Sequence, residues 1–371
     1  MKSILTITCH KVYNHGATLQ EYALLEYLKS LGYKAETINY RPPYLSNHYN
    51  LFRVSSPRFD KNILFRAIYI AVKLPGRIMG LRKKDAFDAF EKKYVPVYPG
   101  KYDSNEALKS SPPQADIYIC GSDQIWNSYF QNGKDPAFYL DFVPKGKLKI
   151  SYAASFAIDE VADDLKPFVK KMVDDIDCVS VRESSGVRIL ERLGIANATR
   201  VLDPVFLIKS SVWQRAFVKP RKEKYIFVYD FDNNENIKEI ARREAAKHGF
   251  KIFTVNSNIT YADTNFKNEA PDAFVSLIYN AQFVITNSFH ALAFSLIFNK
   301  KFCVINRTEK INTRMRDLLE LAGLPQLLVS DSTIELDKIN IDYDAVNAKV
   351  DAFREQSKNF LKSALEHDTK N

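Results

Sequence analysis

The sequence predicts an α/β fold made of two domains. Short apolar runs rich in Val, Ile and aromatic residues alternate with helix-length segments along most of the chain, which is typical of strand–helix–strand units in parallel sheets. At 371 residues the chain is also longer than one hydrophobic core usually serves. With 46% apolar and 26% charged residues, its composition is that of an ordinary globular protein.

The first domain is expected to span residues 1–203. Its strands are predicted at residues 3–9, 35–39, 115–120, 149–153, 178–181 and 200–202, and its clearest helices at about 17–31 and 161–176. Gly32 ends the first helix, and Asp203-Pro204 closes the last strand. A basic insertion at about residues 44–101 interrupts this series.

The second domain is expected to span residues 204–342. Strands are predicted at residues 225–229, 251–255, 283–286 and 302–305, with helices at about 234–248, 272–280 and 313–322. Pro271 and Pro325 punctuate the series. The last segment, residues 343–371, contains a long charged helix at 343–365, which we expect to pack back on the first domain.

The strand at 283–286 is followed by the polar corner Asn287-Ser288-Phe289-His290 and an almost wholly apolar helix. In an open parallel sheet such corners line the ligand crevice, and a helix that starts there presents unpaired N–H groups to an anion. Asn287 or Ser288 is expected to cap the helix, with His290 in its first turn. A histidine held by a neighbouring carbonyl is the structural alternative, but a polar corner before a buried helix favours a functional role.

The corner after the first strand carries a similar signal. Asn14 and Gly16 follow the first strand, where they allow close backbone approach of a ligand, and Gln20 lies one turn into the helix. No GxGxxG or GxxxxGK[ST] pattern is present, so neither a dinucleotide site nor a P-loop is indicated.

The corner at residues 121–127 has the composition of a sugar site. Gly121 permits a tight turn, Ser122 and Asp123 supply a hydroxyl and a carboxylate, and Trp126 offers a flat apolar face. The structural alternative is that Asp123 only caps the next short helix.

Arg182 also follows a strand directly. There its guanidinium could make two hydrogen bonds to a carboxylate or phosphate. The alternative is a salt bridge to Glu183 or another acidic neighbour.

Metal and membrane-spanning signals are absent from the sequence. Cys9, Cys120, Cys178 and Cys303 fall in or beside apolar runs without a CxxC pair, and the six histidines show no HExxH spacing. We expect buried free thiols in a reducing compartment and no metal. Since no apolar stretch of about eighteen residues occurs and a core strand begins near residue 3, the expected location is the cytoplasm.

The formal net charge is +9, and part of the excess is concentrated between residues 53 and 93. Cations in this segment alternate with apolar residues and include Arg58, Lys61, Arg66, Lys73, Arg77, Arg82, Lys83, Lys84 and Lys92. Such a segment can lie on the anionic inner face of a membrane, or its basic face can simply be solvated. Nucleic acid is not expected, because no recognised binding module is evident.

Taken together, the motifs resemble one family. They are NHGATLQ at 14–20, GSDQIWN at 121–127, SVRE at 180–183, LDP at 202–204, NSFHA at 287–291 and NTR at 312–314. Their order and spacing, from about residue 10 to 320, resemble the polysaccharide pyruvyl transferases, bacterial enzymes that attach pyruvate as a ketal to a sugar of a cell-surface glycan such as a capsule or exopolysaccharide. The resemblance implies two Rossmann-like domains facing a cleft, the GT-B arrangement, with the acceptor on the first domain and phosphoenolpyruvate on the second.

The resemblance also implies roles for the residues. Phosphoenolpyruvate is a co-substrate, and no cofactor is expected. His290 would be the acid that protonates the methylene carbon, and Asp123 would be the base for the attacking hydroxyls or the group that orients them. The expected donor-binding residues are Arg182, Asn287, Ser288, Arg307 and Arg314, and the expected acceptor-binding residues are Asn14, Gly16, Gln20, Gly121, Ser122, Gln124, Trp126 and Asn127.

One position departs from the family pattern. Relatives often carry an arginine two residues before this histidine, whereas this chain has Ser288, so Arg307 or Arg314 is expected to replace that cation. Two other functions stay open. One is a GT-B glycosyltransferase using a nucleotide-sugar, for which Glu269 or Asp272 would bind the ribose; the other is a glycan-binding protein without turnover. The acceptor sugar is expected to be free or lipid-linked.

Overall fold

The computed structural model describes residues 2–46, 49–52, 54, 59, 61–308 and 312–367. Within these ranges the strands form two sheets in which every pair is parallel. The N-terminal sheet contains β1 (Ser3–Ile7), β2 (Lys34–Tyr40), β3 (Val97–Tyr102), β4 (Ile117–Cys120), β5 (Leu148–Ala154), β6 (Cys178–Val181) and β7 (Thr199–Arg200). The C-terminal sheet contains β8 (Tyr225–Tyr229), β9 (Lys251–Thr254), β10 (Thr264–Asn265), β11 (Phe283–Thr286), β12 (Lys301–Ile305) and β13 (Leu328–Val329).

Helices connect the strands and cover the sheets. In chain order they are α1 (His15–Ser30), α2 (Pro43–Ser46), α3 (Ile63–Tyr94), α4 (Asn105–Ser110), α5 (Lys166–Asp174), α6 (Ser184–Arg192), α7 (Ser210–Phe217), α8 (Glu235–His248), α9 (Pro271–Asn280), α10 (Phe289–Ile297), α11 (Thr313–Ala322) and α12 (Tyr343–Leu365). None of the described helices combines the length and apolar character needed to cross a membrane.

Both sheets have a doubly wound order. The strands run β3-β2-β1-β4-β5-β6-β7 in one sheet and β10-β9-β8-β11-β12-β13 in the other, as far as the chain is described. The chain order therefore reverses between β1 and β4, and again between β8 and β11. Loops after the carboxyl ends of strands separate at such a switch point and leave a ligand crevice.

The central strands are buried on both faces, which explains why their sequences are mostly apolar. Every residue of β4, β5, β8 and β11 is buried. Parallel strands covered by helices on both sides need this composition.

The helix ends are explained by local chemistry. Asn14 Oδ1 accepts hydrogen bonds from the N–H groups of Gly16 and Ala17 at the start of α1. α8 ends at Gly249, whose φ is 66°.

Apolar packing continues from one half to the other. Tyr22 of α1 packs against Trp213 of α7 with ring centroids 5.5 Å apart, and Trp213 packs against Phe294 of α10 at 5.0 Å. α12 contacts residues on both sides of position 203: Leu202 N–H donates to Ser357 Oγ, and Arg354 Nε donates to Phe206 O. The domain boundaries themselves stay predictions.

Several predicted elements have the bounds given by the sequence. These are the strands at 178–181, 225–229 and 283–286 and the helices at 313–322 and 343–365. The helix predicted at 161–176 is shorter, because a 3-10 turn at Asp163–Leu165 precedes it and α5 begins only at Lys166. Pro167 suits that first turn, since its missing N–H would have no intrahelical partner.

The basic insertion predicted at about residues 44–101 includes a strand of the sheet. Val97–Tyr102, placed almost entirely in the insertion, forms β3 at the edge of the N-terminal sheet beside β2. Pro99 and Gly100 read as turn residues, yet proline is tolerated in an edge strand. Most of the basic segment is the long helix α3; Arg53 and Arg58 lie outside the described residues.

Candidate functional site

A cavity of about 120 Å³ lies where the two switch points face each other. Corners after β1 and β4 line it from the N-terminal sheet, and corners after β8, β11 and β12 line it from the C-terminal sheet with the first turn of α11. The lining residues are Asn14, Asp123, Gln124, Phe231, Asn287, Ser288, Phe289, His290, Arg307 and Arg314. All except Phe231 and Phe289 were predicted as site residues, so the fold brings residues from distant parts of the sequence into one cleft.

Two helix N-termini meet at this cavity. α1 begins at His15, directly after Asn14, and α10 begins at Phe289. Their contact is unusually close, because a Cβ atom on Gly16 would lie only 2.0 Å from His290 Nδ1. Glycine at position 16 therefore lets the imidazole lie directly against the start of α1. Both N-termini direct their positive dipole ends toward the same space, which favours an anion. The first N–H groups of α1 donate to Asn14, so the hydrogen-bond donors for a ligand come from the start of α10.

The charged side chains add to this preference. Arg307 and Arg314 line the cavity, and Asp123 is the only carboxylate among its described lining residues. Arg314 Nη1 lies 4.0 Å from Asp123 Oδ1, a distant pairing. Burial, followed by the positive charge of Arg182, lowers the pKa of Arg314 to about 10. A bound anion would compensate this guanidinium.

His290 lies beside a buried carboxylate that the sequence analysis did not select. Its Nε2 is 3.6 Å from Asp203 Oδ2, too far for a hydrogen bond but close enough for charge attraction. Ser122 Oγ donates to the same oxygen at 3.1 Å, and Val205 N–H donates to Oδ1 at 3.1 Å. Burial opposes ionisation of Asp203, but attraction to His290 and Arg182 outweighs it and holds the pKa of the carboxyl well below its usual range.

Arg182 is not placed to bind a donor directly. Its side chain is buried, with Nη1 donating to Asp203 at 2.6 Å and Nε donating to Glu183 at 3.1 Å. The guanidinium also lies 4.5 Å above the ring of Phe289. The structure thus favours the alternative interpretation, a salt bridge to acidic neighbours. Arg182 holds Asp203 in position behind His290.

The corner after β11 also differs from expectation. Asn287 does not cap α10, because its side chain accepts from Phe231 N–H and donates to Asp230 Oδ1. These bonds tie the β11 corner to the β8 corner. Ser288 occupies the N-cap position, but its hydroxyl makes no capping hydrogen bond. The first N–H groups of α10 are therefore not satisfied by either side chain.

A second cavity of about 410 Å³ adjoins the first on the N-terminal half. Asn14, Asp123 and Gln124 line both cavities. The remaining lining residues of the second cavity are Cys9, Val12, Tyr44, Leu45, Phe130, Gln131 and Asn132. A group bound there would lie next to Asp123 and near His290.

The other predicted acceptor residues are buried and support the corners. Gln20 donates to Thr8 Oγ1 and accepts from Ser122 N–H, which links α1 to the corner after β4. Gly121 has a φ of 118°, and a Cβ there would lie 2.2 Å from Tyr152 O. Direct acceptor contacts by Gln20, Gly121 and Ser122 are therefore not supported, because none of these residues lines either cavity.

Trp126 and Asn127 were also expected to bind the acceptor, and this is wrong for Trp126. Its side chain is 0% exposed, it stacks on Tyr139 at 5.2 Å, and Nε1 donates to Phe138 O. The indole is a packing element and offers no face to a sugar. Asn127 is equally buried and donates to Gln124 Oε1, so it orients a lining residue.

A group of potential metal ligands lies away from the cleft. Among the described residues, Glu244, His248 and Asp337 have ligand atoms within 4.8 Å of one another. Arg243 pairs with Glu244 at 2.9 Å, and Lys247 pairs with Asp337 at 2.8 Å. These carboxylates already have cationic partners, so the group is accounted for as an ion-pair network.

Sequence reasoning missed Asp203, Phe289 and the apolar wall of the second cavity. Asp203 lies three residues after the end of β7, and its place in the LDP motif was the available signal. Phe289 read as part of the apolar helix, although its ring lies under both Arg182 and Arg314.

The fold and the site define a two-domain α/β protein of GT-B-like architecture with a cation-rich cleft between its halves. A family model described as Polysaccharide pyruvyl transferase matches residues 14–309, and the chain belongs to this family. The resemblance drawn from the motifs is thereby confirmed. Membership indicates a transferase acting in polysaccharide modification. No curated protein sequence matches the chain.

Solved structures share the fold. The UDP-N-acetylglucosamine 2-epimerase from Rickettsia bellii has a TM-score of 0.50 at 14% identity, covering 99% of this chain and 97% of that one. The E. coli heptosyltransferase WaaC with ADP has a TM-score of 0.40 at 12% identity, covering 96% and 99%. The Streptomyces sp. SF2575 glycosyltransferase SsfS6 has a TM-score of 0.40 at 13% identity, covering 97% and 96%. The likeness to the epimerase concerns the fold alone, and the predicted class of two Rossmann-like domains is confirmed.

Proposed function

We propose that the protein transfers pyruvate from phosphoenolpyruvate to a sugar, forming a ketal and releasing phosphate. The observation that carries the proposal is the convergence of two helix N-termini, Arg307 and Arg314 on one cavity that also holds His290 and Asp123. An anion-binding site with an acid and a carboxylate at its edge matches what this reaction needs.

The donor carries a carboxylate and a phosphate, and the cavity offers cations for both. Ser288 stands where relatives often carry an arginine, but Arg307 and Arg314 line the same cavity and supply positive charge there. The start of α10 adds N–H donors. In this proposal the serine hydroxyl contributes a hydrogen bond in place of a charge.

The proposed chemistry uses His290 as the acid. Protonation of the methylene carbon makes C2 of the donor electrophilic, so that two sugar hydroxyls add to it while the C2–phosphate bond breaks. Two hydroxyl protons are released in total; one replaces the proton given to carbon and the other leaves with phosphate. Asp123 accepts a proton from an attacking hydroxyl, because it lines both the donor cavity and the adjoining one.

The acceptor is proposed to occupy the second cavity, where Asn14, Gln124 and Phe130 provide polar and aromatic contacts. We propose a sugar of a bacterial surface polysaccharide, such as a capsule or exopolysaccharide, or its precursor, acted on in the cytoplasm. A nucleotide-sugar-dependent glycosyltransferase is less well supported. Neither Glu269 nor Asp272, the candidates for binding its ribose, is among the described residues lining these cavities.

The test is a phosphate-release assay with phosphoenolpyruvate and a panel of methyl hexosides, run beside UDP- and ADP-sugars. We expect phosphate release that depends on a hexoside, with pyruvate recovered as an acid-labile ketal, and loss of both with His290→Ala. Transfer from a nucleotide-sugar would establish the glycosyltransferase instead. Tight glycan binding without turnover of any donor would establish a binding protein.

A further inference from the structure

Much of the first part of α3 is exposed despite its apolar sequence. Seven large apolar residues of this helix are exposed, among them Ile63 at 87% and Val72 at 71%. The complete set is Ile63, Leu64, Phe65, Ile68, Val72, Ile78 and Met79. Only toward its C-terminal end, at Phe87, Phe90 and Glu91, does the helix become buried. Such a large unpartnered apolar surface usually marks a binding site.

The exposed apolar residues of this helix and four of its basic residues occupy different faces. At about 100° per residue, the seven exposed apolar residues fall within an arc of about 200°. Four basic residues fall within about 40° of one another on the opposite side, namely Arg66, Lys73, Arg77 and Lys84. Arg82 and Lys83 fall within the apolar arc, close to the part of the helix that becomes buried. A wide apolar face bordered by long basic side chains is the pattern of a helix that lies in a membrane interface with its cations directed to the headgroups.

The positive charge of α3 favours an anionic membrane, rather than a second copy of the chain, as the partner that covers its apolar face. Residues 61–84 contain seven cations and no Asp or Glu; the cations are Lys61, Arg66, Lys73, Arg77, Arg82, Lys83 and Lys84. Two such helices packed together would place like charges side by side in either orientation. An anionic bilayer instead complements the charge and covers the apolar face. We propose that α3 docks this protein on an anionic membrane surface.

The position of the helix relates docking to the cleft. Phe87, near the base of α3, contacts Tyr13 with ring centroids 6.1 Å apart and His15 at 4.9 Å. Between these two residues is Asn14, which lines both cavities. Since a helix rises about 1.5 Å per residue, docking through residues 63–79 keeps this corner of the cleft within roughly 40 Å of the lipid surface. Resting on the proposed function, this favours a lipid-linked sugar as acceptor.

Co-sedimentation of the full chain with vesicles tests the docking. We expect binding to phosphatidylcholine vesicles containing phosphatidylglycerol, little binding to pure phosphatidylcholine, and weakening as salt rises. Lys61→Glu with Lys73→Glu should lower the partition constant at least about 10-fold, since each basic residue near such a surface contributes about fivefold. The control, Lys171→Glu with Lys222→Glu, makes the same change in net charge at exposed lysines elsewhere.

The apolar face is tested separately. Leu64→Asp with Val72→Asp should lower the partition constant about 10-fold or more, because two side chains no longer enter the interface. Val212→Asp is the control, since Val212 is a partly exposed apolar residue of α7. Both variant sites are exposed, so folding is expected to be unaffected, and a circular dichroism melt checks this.

Tryptophan fluorescence distinguishes insertion from surface adsorption. Both native tryptophans, Trp126 and Trp213, are 0% exposed. Ile68→Trp should therefore report the helix, with a blue shift and quenching by brominated phosphatidylglycerol, whereas Val212→Trp should show neither.

Three results would overturn the proposal: no binding of wild type to anionic vesicles, equal loss in the control variants, or a monomer–dimer shift in the α3 variants with unchanged vesicle binding. The vesicle experiments need no donor or acceptor. Failure of pyruvyl transfer therefore leaves the docking result intact, and failure of docking leaves transfer to soluble hexosides intact.

Discussion

Asp203 gives His290 a fixed negative neighbour. Its carboxylate is held by Ser122, Val205 and Arg182, and its pKa is well below the usual range, so it stays ionised at neutral pH. A fixed carboxylate of this kind orients the imidazole beside it. We infer that Asp203 is a positioning residue for the proposed acid.

Replacing Asp203 by asparagine tests that role. Asp203→Asn should lower kcat about 100-fold with a small change in the KM for phosphoenolpyruvate, since the donor does not touch this side chain. A stability effect alone would reduce the amount of folded enzyme and would leave kcat per folded molecule unchanged.

Arg314 should act mainly in donor binding. It lines the cavity, and burial together with Arg182 lowers its pKa to about 10, which a bound dianion would reverse. Arg314→Ala should raise the KM for phosphoenolpyruvate about 10- to 100-fold, since hydrogen bonds to charged groups contribute about 1.5–3 kcal/mol. The matched control is Arg316→Ala, two residues away, whose guanidinium pairs with Asp159 at the surface. Equal effects of the two changes would remove Arg314 from the donor site.

At the scale of elements, strands were easier to predict than side-chain directions. β8 and β11 have the expected bounds because strands covered on both faces need nearly continuous apolar runs, which the sequence displays directly. β3 was missed because its Pro99 and Gly100 are turn residues that only an edge strand accepts.

Corners were located correctly, but the orientation of their side chains was not. Asp123 and Trp126 lie three residues apart, yet one lines the cleft and the other is buried on Tyr139. This difference arises from packing against the segment at 133–142, which no local pattern reveals. The side chain of Arg182 likewise pairs with Asp203 and Glu183, and tertiary contacts determine this orientation.

The packing role of Trp126 makes a prediction at this scale. Trp126→Phe should lower the free energy of unfolding by about 1–3 kcal/mol, because Phe138 O loses its hydrogen bond and the stack shrinks. The KM for the acceptor should not change. Trp213→Phe is the control, since Trp213 is also buried and donates to Val205 O in the other half. A rise in acceptor KM for Trp126→Phe alone would restore the indole to the sugar site.

For the whole molecule, the cleft exists only while the two halves remain in contact. His15 belongs to that contact: its ring stacks on Phe274 of α9 at 5.2 Å and lies 6.2 Å from Tyr229 of β8. Neither ring nitrogen has a hydrogen-bond partner in the described structure. Burial, followed by the charge of Lys83, holds the pKa of His15 well below its usual value.

The lowered pKa of His15 predicts acid sensitivity. The unfolded chain binds a proton at His15 below about pH 6.5, whereas the folded protein does not, so protonation favours unfolding. The loss in the free energy of unfolding is absent above about pH 6.5. Below that pH it increases, with a slope that approaches about 1.4 kcal/mol per pH unit. At neutral pH the uncharged His15 ring therefore allows the two halves to stay in contact. Protonation of His15 on acidification weakens that contact.

Urea unfolding at pH 7.5 and 5.5 measures the effect. The wild-type free energy of unfolding should be lower at pH 5.5 than at pH 7.5. In His15→Phe this difference should be smaller by about 1 kcal/mol, because phenylalanine keeps an aromatic ring against Phe274 but cannot take up a proton. His367→Phe, at an exposed histidine near the end of α12, should retain the wild-type difference. If His15→Phe also retained it, His15 would have to accept a proton in the folded protein, and the contact between the halves would then be open to water.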